Sequence, residues 1–376
     1  MTHYVRLAFF VVPLSFLMGI WWSFYRFESQ NSRPDYSQGT IHVLANKDVL
    51  PDILVSEFEK QYRVKVLLTE YASDLKIINE IYSNSDRYDI VQMNSLQVGS
   101  LVFKDTFLPI QEELVPEHAD ISPDFLNLPF DRNKAHSIPF TWGLNGYLVD
   151  TKHISIMPQT FKELLYDQKF KGKVSLMAHP VEFLQQLKRY GDFSDEWIQT
   201  ESKEPLTEAL NEFGKYLYSK RGFPEIDLLN KGDVWVQQIP LGKSANYLQR
   251  SPHFKYWIPK DKVTLWVNIV AIPKQTKKAP LAHLFINHLL KPISAHSFAY
   301  RSHLSTVIKS AETMDLAEQH KPSFLRSVNI HSLDMVTEHQ AYQSIWLRSL
   351  GSVFPDLFNN PTQAQNTLPS EKPLNP

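Results

Sequence analysis

Two pairs of side chains in this sequence have types and spacings that could do chemistry. In the stretch Leu265–Lys274, LWVNIVAIPK, Trp266 and Asn268 stand two apart in an aliphatic run. In a β-strand both emerge on one face. An indole beside an amide can cover an apolar group and hydrogen-bond its polar end, a combination that suits binding. By residue type alone, core packing of Trp266 and a strand end at Asn268 fit as well. In His179-Pro180-Val181-Glu182 an imidazole and a carboxylate lie at i, i+3. Two ligands do not make a metal site, so a solvated loop and helix start is the plainer reading. Asp48, just before Pro51, is a candidate acid, and its favoured role is to cap the helix that follows.

Motifs for covalent chemistry are missing. No G-x-G-x-x-G, Walker A, G-x-S-x-G or H-E-x-x-H occurs in the sequence. The 14 histidines are scattered without zinc-ligand spacing, and there are no cysteines, which excludes disulfides, thiolate metal sites, cysteine nucleophiles and a lipidated cysteine. No enzyme activity, cofactor or metal is expected. A formal net charge of -1 provides no field to recruit nucleic acid. With 376 residues, 43% hydrophobic and 21% charged, the chain can bury a sizeable core in one large or two medium domains.

The elements that must position these residues alternate in type. Ile41–Ala45 is a short strand, and a helix opened by Pro51 carries Leu54, Val55, Phe58 and Tyr62 on its apolar face. Val64–Leu68 alternates as a strand. The next helix has Leu75, Ile78, Ile81 and Tyr82 on one stripe, and Ile90–Met93 is a third strand. This β-α-β-α-β order predicts a parallel sheet with right-handed crossovers. A second α/β series after Asp150 comprises a helix at Phe161–Tyr166, a strand Val174–Met177, a long helix from about Leu206 to Lys220, a strand Val234–Ile239, the Trp266 strand, and a helix Leu281–Leu290 stopped by Pro292. Ligands of open α/β sheets bind beyond the carboxyl ends of the strands. That directs attention to Asn46–Val49, Met93–Leu96 and Ala178–Glu182.

The uncharged run Leu7–Tyr25 lies between Arg6 and Arg26 and is about as long as the ~20 residues of a membrane-crossing helix. It has no small-x-small cleavage site, and its paired tryptophans suit a membrane interface. It reads as an uncleaved signal anchor, with a cleaved signal peptide as the alternative; either exports the bulk of the chain. Residues 28–39 read as a polar linker and 353–376 as a disordered, proline-containing tail.

Several segments have a further common feature. IHVLANKDVLPDILVSEF at Ile41–Phe58, YDIV at Tyr88–Val91, SIPFTWG at Ser137–Gly143, FKGKVSL at Phe170–Leu176 and LWVNIVAIP at Leu265–Pro273 resemble, in order and spacing, the spermidine/putrescine-binding proteins of bacterial ABC importers. The resemblance spans roughly residues 40 to 310. It implies a two-lobed periplasmic binding protein fold of type II, α/β in each lobe, with a hinge crossed more than once. Lobe one would comprise 40–147 with 269–313, and lobe two 148–268 with 314–352. Pro139–Gly143 would lead into the first crossing and Asn268 would lie near the second.

The resemblance also implies roles. Trp266 matches a ligand-stacking tryptophan and Glu182 an amine-binding glutamate. Asn268 stands where an aspartate is usual, and His179 likewise. The first loop, usually with an aromatic pair, reads Asn46-Lys47-Asp48-Val49, and the third, usually serine then tyrosine, reads Asn94-Ser95-Leu96; another aromatic position falls near Pro240. The candidate ligand-binding residues are therefore Trp266, Asn268, Glu182, His179, Asn46, Asp48, Asn94 and Ser95. Asp89 is expected to anchor a loop, and Trp142 and Tyr147 to be hinge and core aromatics. The function implied is a monomeric, periplasmic or membrane-tethered receptor that encloses a polyamine between its lobes and delivers it to an inner-membrane ABC permease. Two alternatives stay open: the same fold for thiamine, iron or an oxyanion, and an anchored sensor or scaffold that no longer transports.

Overall fold

Aliphatic runs bounded by Asn, Asp, Gly and Pro set short strands with sharp ends. The computed structural model describes residues 39–331, apart from 47, 72–73, 96–100, 102, 129, 133–134 and most of 177–226. Strand β1 (Thr40–Asn46), helix α1 (Asp52–Tyr62), β2 (Lys65–Tyr71), α2 (Asp74–Asn84) and β3 (Ile90–Asn94) follow in the expected order. β1 pairs in parallel with both β2 and β3, as the alternation of elements requires. α1 buries Leu54 and Phe58 completely, with Val55 and Tyr62 packed at the margin.

Two local expectations fail here. The N-cap of α1 is Pro51, without a side-chain cap bond, so Asp48 does not cap this helix; it lies too far upstream to reach the first free amides. In α2 the buried stripe holds Ile77 and Ile81, whereas Tyr82 is 57% exposed. One step along a helix turns a side chain by about 100°, which carries Tyr82 off that stripe.

The chain continues through β4 (Ser137–Asp150), α3 (Phe161–Tyr166), β5 (Val174–Ser175), β6 (Val236–Pro240), α4 (Leu241–Arg250), β7 (Phe254–Trp257) and β8 (Val263–Ala271). α5 (Ala279–Leu289), α6 (Pro292–Ser297), a π-turn (Phe298–Ser302), β9 (Ser305–Thr306) and β10 (Ile330–His331) complete the labelled elements. One mixed sheet of ten strands runs β2-β1-β3-β8-β4-β6-β5, with β7 and β9 also paired to β4 and β10 to β8. β8 is antiparallel to both β3 and β4. β4 is buried along its whole length; it meets β8 over its first part and β6 and β7 over its last. β4 and β8 therefore carry the chain between the parallel β1–β3 half of the sheet and the half that holds β5, β6 and β7.

The join between these two strands is irregular. Asn268 faces Thr141 but Ile269 faces Pro139, with the register shifting between Asn268 and Ile269. Proline has no N–H to donate to a ladder, and a bulge is where a central strand tolerates it. Phe140 is the extra residue.

The later helices differ from expectation in two ways. Of the long helix expected over Leu206–Lys220, the described part is helical at 208 and 212–214, but Leu217 then bridges Val174 in strand fashion. Pro292 does not merely stop α5: it sits at the start of α6, where its fixed φ and missing N–H are no handicap. Trp142 and Tyr147 are fully buried core aromatics. Asp89 anchors a loop, accepting from His42 N at 2.9 Å and Thr276 Oγ1 at 2.6 Å, with Lys278 Nζ at 3.4 Å. Among the described residues no helix is long and apolar enough to cross a membrane, and Leu7–Tyr25 lies outside them.

Candidate ligand-binding site

Trp266 is held from two sides. Across the β4–β8 ladder it faces Gly143, and the indole lies so close that a β-carbon there would stand 2.2 Å from its ring. Its Nε1–H donates to Asn145 Oδ1 at 2.9 Å. Gly143 thus provides the floor and Asn145 fixes the ring's direction. Trp266 keeps 7% of its surface exposed and Asn268 1%.

Asn268 is a node of a buried amide network. Its Nδ2 donates to Thr141 Oγ1 at 3.0 Å, and its Oδ1 accepts from Gln92 Nε2 at 3.2 Å. Gln92 Oε1 in turn accepts from Asn46 N at 2.8 Å and from the Tyr71 hydroxyl at 3.3 Å. Each buried polar group has a partner, which offsets the several kcal/mol that an unmet amide would cost in this interior. The chain Asn46–Gln92–Asn268–Thr141 links β1, β3, β8 and β4 at the carboxyl ends of β1 and β3.

The other candidate residues gather around this network. Asn94 pairs with Asn268 across the β3–β8 ladder. Ser95, buried, exchanges two bonds with Val267: its N–H donates to the Val267 carbonyl at 2.8 Å, and its Oγ accepts from Val267 N at 2.9 Å. Asn46 Oδ1 accepts from Asp48 N at 2.9 Å and shapes the turn leaving β1. The structure therefore brings Asn46, Asp48, Asn94, Ser95, Trp266 and Asn268 to one region. His179 and Glu182 lie outside the described residues. Gln92, Thr141 and Asn145 were missed by sequence reasoning; the available signal was a glutamine inside the apolar run DIVQMN.

A cleft of about 880 Å3 lies between the turn and helix start at Asp48–Ser56, the start of α4, and Arg301–His303; of the candidate residues only Asp48 lines it. That is a volume suited to a small solute. Lys243 Nζ reaches to 3.9 Å from an Asp48 carboxylate oxygen across it. Among the described residues no group of three or more His, Cys, Asp or Glu is arranged to hold a metal ion.

Comparison with known proteins gives a consistent result. The family model for bacterial extracellular solute-binding proteins matches residues 54–322. The spermidine/putrescine-binding periplasmic protein of Escherichia coli is 26% identical over 261 residues, covering 67% of this chain and 73% of that protein. The putrescine-binding periplasmic protein PotF of the same organism is 22% identical over 320 residues, covering 77% and 85%. Among solved structures, the spermidine/putrescine ABC transporter substrate-binding protein PotD of Streptococcus pneumoniae superposes with a TM-score of 0.67 at 18% identity, covering 83% of this chain and 98% of that one. The ten-stranded mixed sheet is thus that of the periplasmic binding proteins. The chain belongs to the bacterial extracellular solute-binding protein family.

Proposed function

We propose that the chain is the extracytoplasmic receptor of an ABC importer for a small organic cation of the polyamine class, spermidine or putrescine. The observation that carries this reading is the 261-residue similarity to a spermidine/putrescine-binding periplasmic protein, within a family match over residues 54–322 that includes the strand holding Trp266. A polyamine is a methylene chain with ammonium groups, and it needs an aromatic flank and oxygen acceptors at its ends. Trp266 would flank the stem, with Asn46, Asn94, Ser95 and Asn268 near one end and Glu182 and His179 at the other. The two lobes, 40–147 with 269–313 and 148–268 with 314–352, would close over it. Bound and free forms would differ in population along that motion. Leu7–Tyr25 would hold the receptor at the outer face of the inner membrane, as a monomer, near its permease.

A second reading keeps the fold and changes the solute to thiamine, iron or an oxyanion, or drops transport for sensing. What favours it is Asn268: an amide already bonded to Gln92 and Thr141 stabilises an ammonium less well than a carboxylate would, since charge-assisted bonds are about twice as strong as neutral ones. Titration calorimetry with spermidine and putrescine decides between them. Under the polyamine reading both bind, Trp266→Ala weakens each by about tenfold or more, and Asn268→Asp tightens them by about tenfold. Stabilisation by thiamine alone, with no polyamine heat, would defeat it.

A further inference from the structure

The cleft that Asp48 lines has a charge pattern of its own. Among the residues that line it are Asp48, Asp52, Lys243, Tyr247, Arg301 and His303. Two carboxylates stand with two permanent cations. Lys243 lies within ion-pair distance of Asp48, whereas Arg301 makes no ion pair among the described residues. A site shaped only for a dication would not place two such cations in its wall, because like charges repel across a few ångströms.

The wall that carries Arg301 is also unusual in its backbone. It includes the π-turn Phe298–Ser302, a geometry that occurs mostly as single turns and frequently at functional sites. His303 follows with φ 53° and ψ 33°, a left-handed conformation uncommon for a residue other than glycine. Two segments fix it there. A β-carbon at Gly242 would stand 2.6 Å from the His303 carbonyl oxygen, so α4 packs its second residue directly on the turn. Ser302 Oγ donates to the Val49 carbonyl at 3.3 Å, joining the turn to the loop after β1. α4 itself begins at Pro240 with no side-chain cap, so the positive end of its dipole adds to the cationic side of the cleft.

We infer that this cleft takes an amino-carboxylate: the solute's carboxylate sits between Arg301, Lys243 and the His303 turn, and its ammonium faces Asp48 and Asp52. The inference rests on the chain being a solute receptor, as proposed above, but not on the solute being a polyamine.

Ornithine and putrescine test it, since they differ by one carboxylate. Titration calorimetry on the full chain is expected to show ornithine binding at least about tenfold more tightly than putrescine. Arg301→Gln brings that ratio to about one, and Lys243→Gln lowers it several-fold. Arg301 is exposed, so a thermal melt of its variant matches the wild type. A wild-type ratio of one or less, absence of ornithine binding, or a ratio that survives Arg301→Gln overturns the inference. Ornithine binding without spermidine or putrescine defeats the polyamine reading and leaves this one standing; polyamine binding without ornithine does the reverse.

Discussion

Gly143 and Trp266 act as one unit, because the ring occupies the space where any β-carbon at position 143 would be. Gly143→Ala must therefore lift the indole off its floor, and overpacking of this kind costs about 1–3 kcal/mol. Trp266→Ala alone removes a buried aromatic and costs about 3–5 kcal/mol. In urea unfolding the double variant is expected to be more stable than the sum of the two losses by about 1 kcal/mol or more, since the added methyl then has room. Strict additivity would mean that the contact does not hold the ring. At this scale the sequence was half legible. The spacing of Trp266 and Asn268 placed both on one face of a strand. Their partners were hidden, because Asn145 is 121 positions from Trp266 and Gln92 is 176 from Asn268, and one sequence does not reveal pairs so distant. Asp48 was misread because a polar residue a few positions before a helix has the composition of a cap without its reach.

α3 shows an element fixed by local rules together with one remote group. Thr160 Oγ1 accepts from Glu163 N at 3.1 Å, and the Glu163 carboxylate reaches back to Thr160 N, a capping box. Asp261, from the loop before β8, adds its carboxylate to the same helix start by accepting from Phe161 N at 3.0 Å and from the Tyr190 hydroxyl at 2.7 Å. Burial and this bond push the Tyr190 phenol well above its ordinary pKa. Thr160→Ala is expected to cost about 1 kcal/mol in chemical denaturation, and Thr160→Ser to recover most of it. An unchanged midpoint for the alanine variant would show that Asp261 alone holds the helix start. The same contrast explains which elements were legible. α3 and the strands β1 and β3 follow from periodicity and punctuation. The bulge at Pro139 does not, because it appears only when β4 is set against β8, and the expected helix over Leu206–Lys220 gives way at Leu217, where sheet pairing with Val174 overrides an apolar pattern that suits either state.

At the scale of the whole molecule, histidines join segments that are remote in sequence, and all must stay neutral. His288, buried on α5, donates from Nε2 to the Leu54 carbonyl of α1 at 3.1 Å, and its Nδ1 has no partner among the described residues. Burial, with the nearby Lys291 ammonium, pushes its pKa down to about 4 from an ordinary 6.5. His283 accepts from Gln111 N at 3.0 Å and contacts the Ala279 carbonyl at 2.7 Å, and His320 neighbours His303; burial lowers both. In each case the unfolded chain takes up the proton first. The stabilisation is therefore complete above pH 6.5 and is lost as pH falls towards the folded-state value, which for His288 is about 4. At about 1.4 kcal/mol per pKa unit, His288 alone accounts for a loss on the order of 3 kcal/mol over that window. His288→Gln keeps a donor for Leu54 and removes the titration. Its unfolding free energy is expected to start lower than the wild type at pH 7.5 and to converge on it by pH 4.5, a difference that isolates the histidine from the carboxylates titrating in both proteins. Parallel curves across that range would mean that protonation at His288 is not what loosens the contact between α5 and α1.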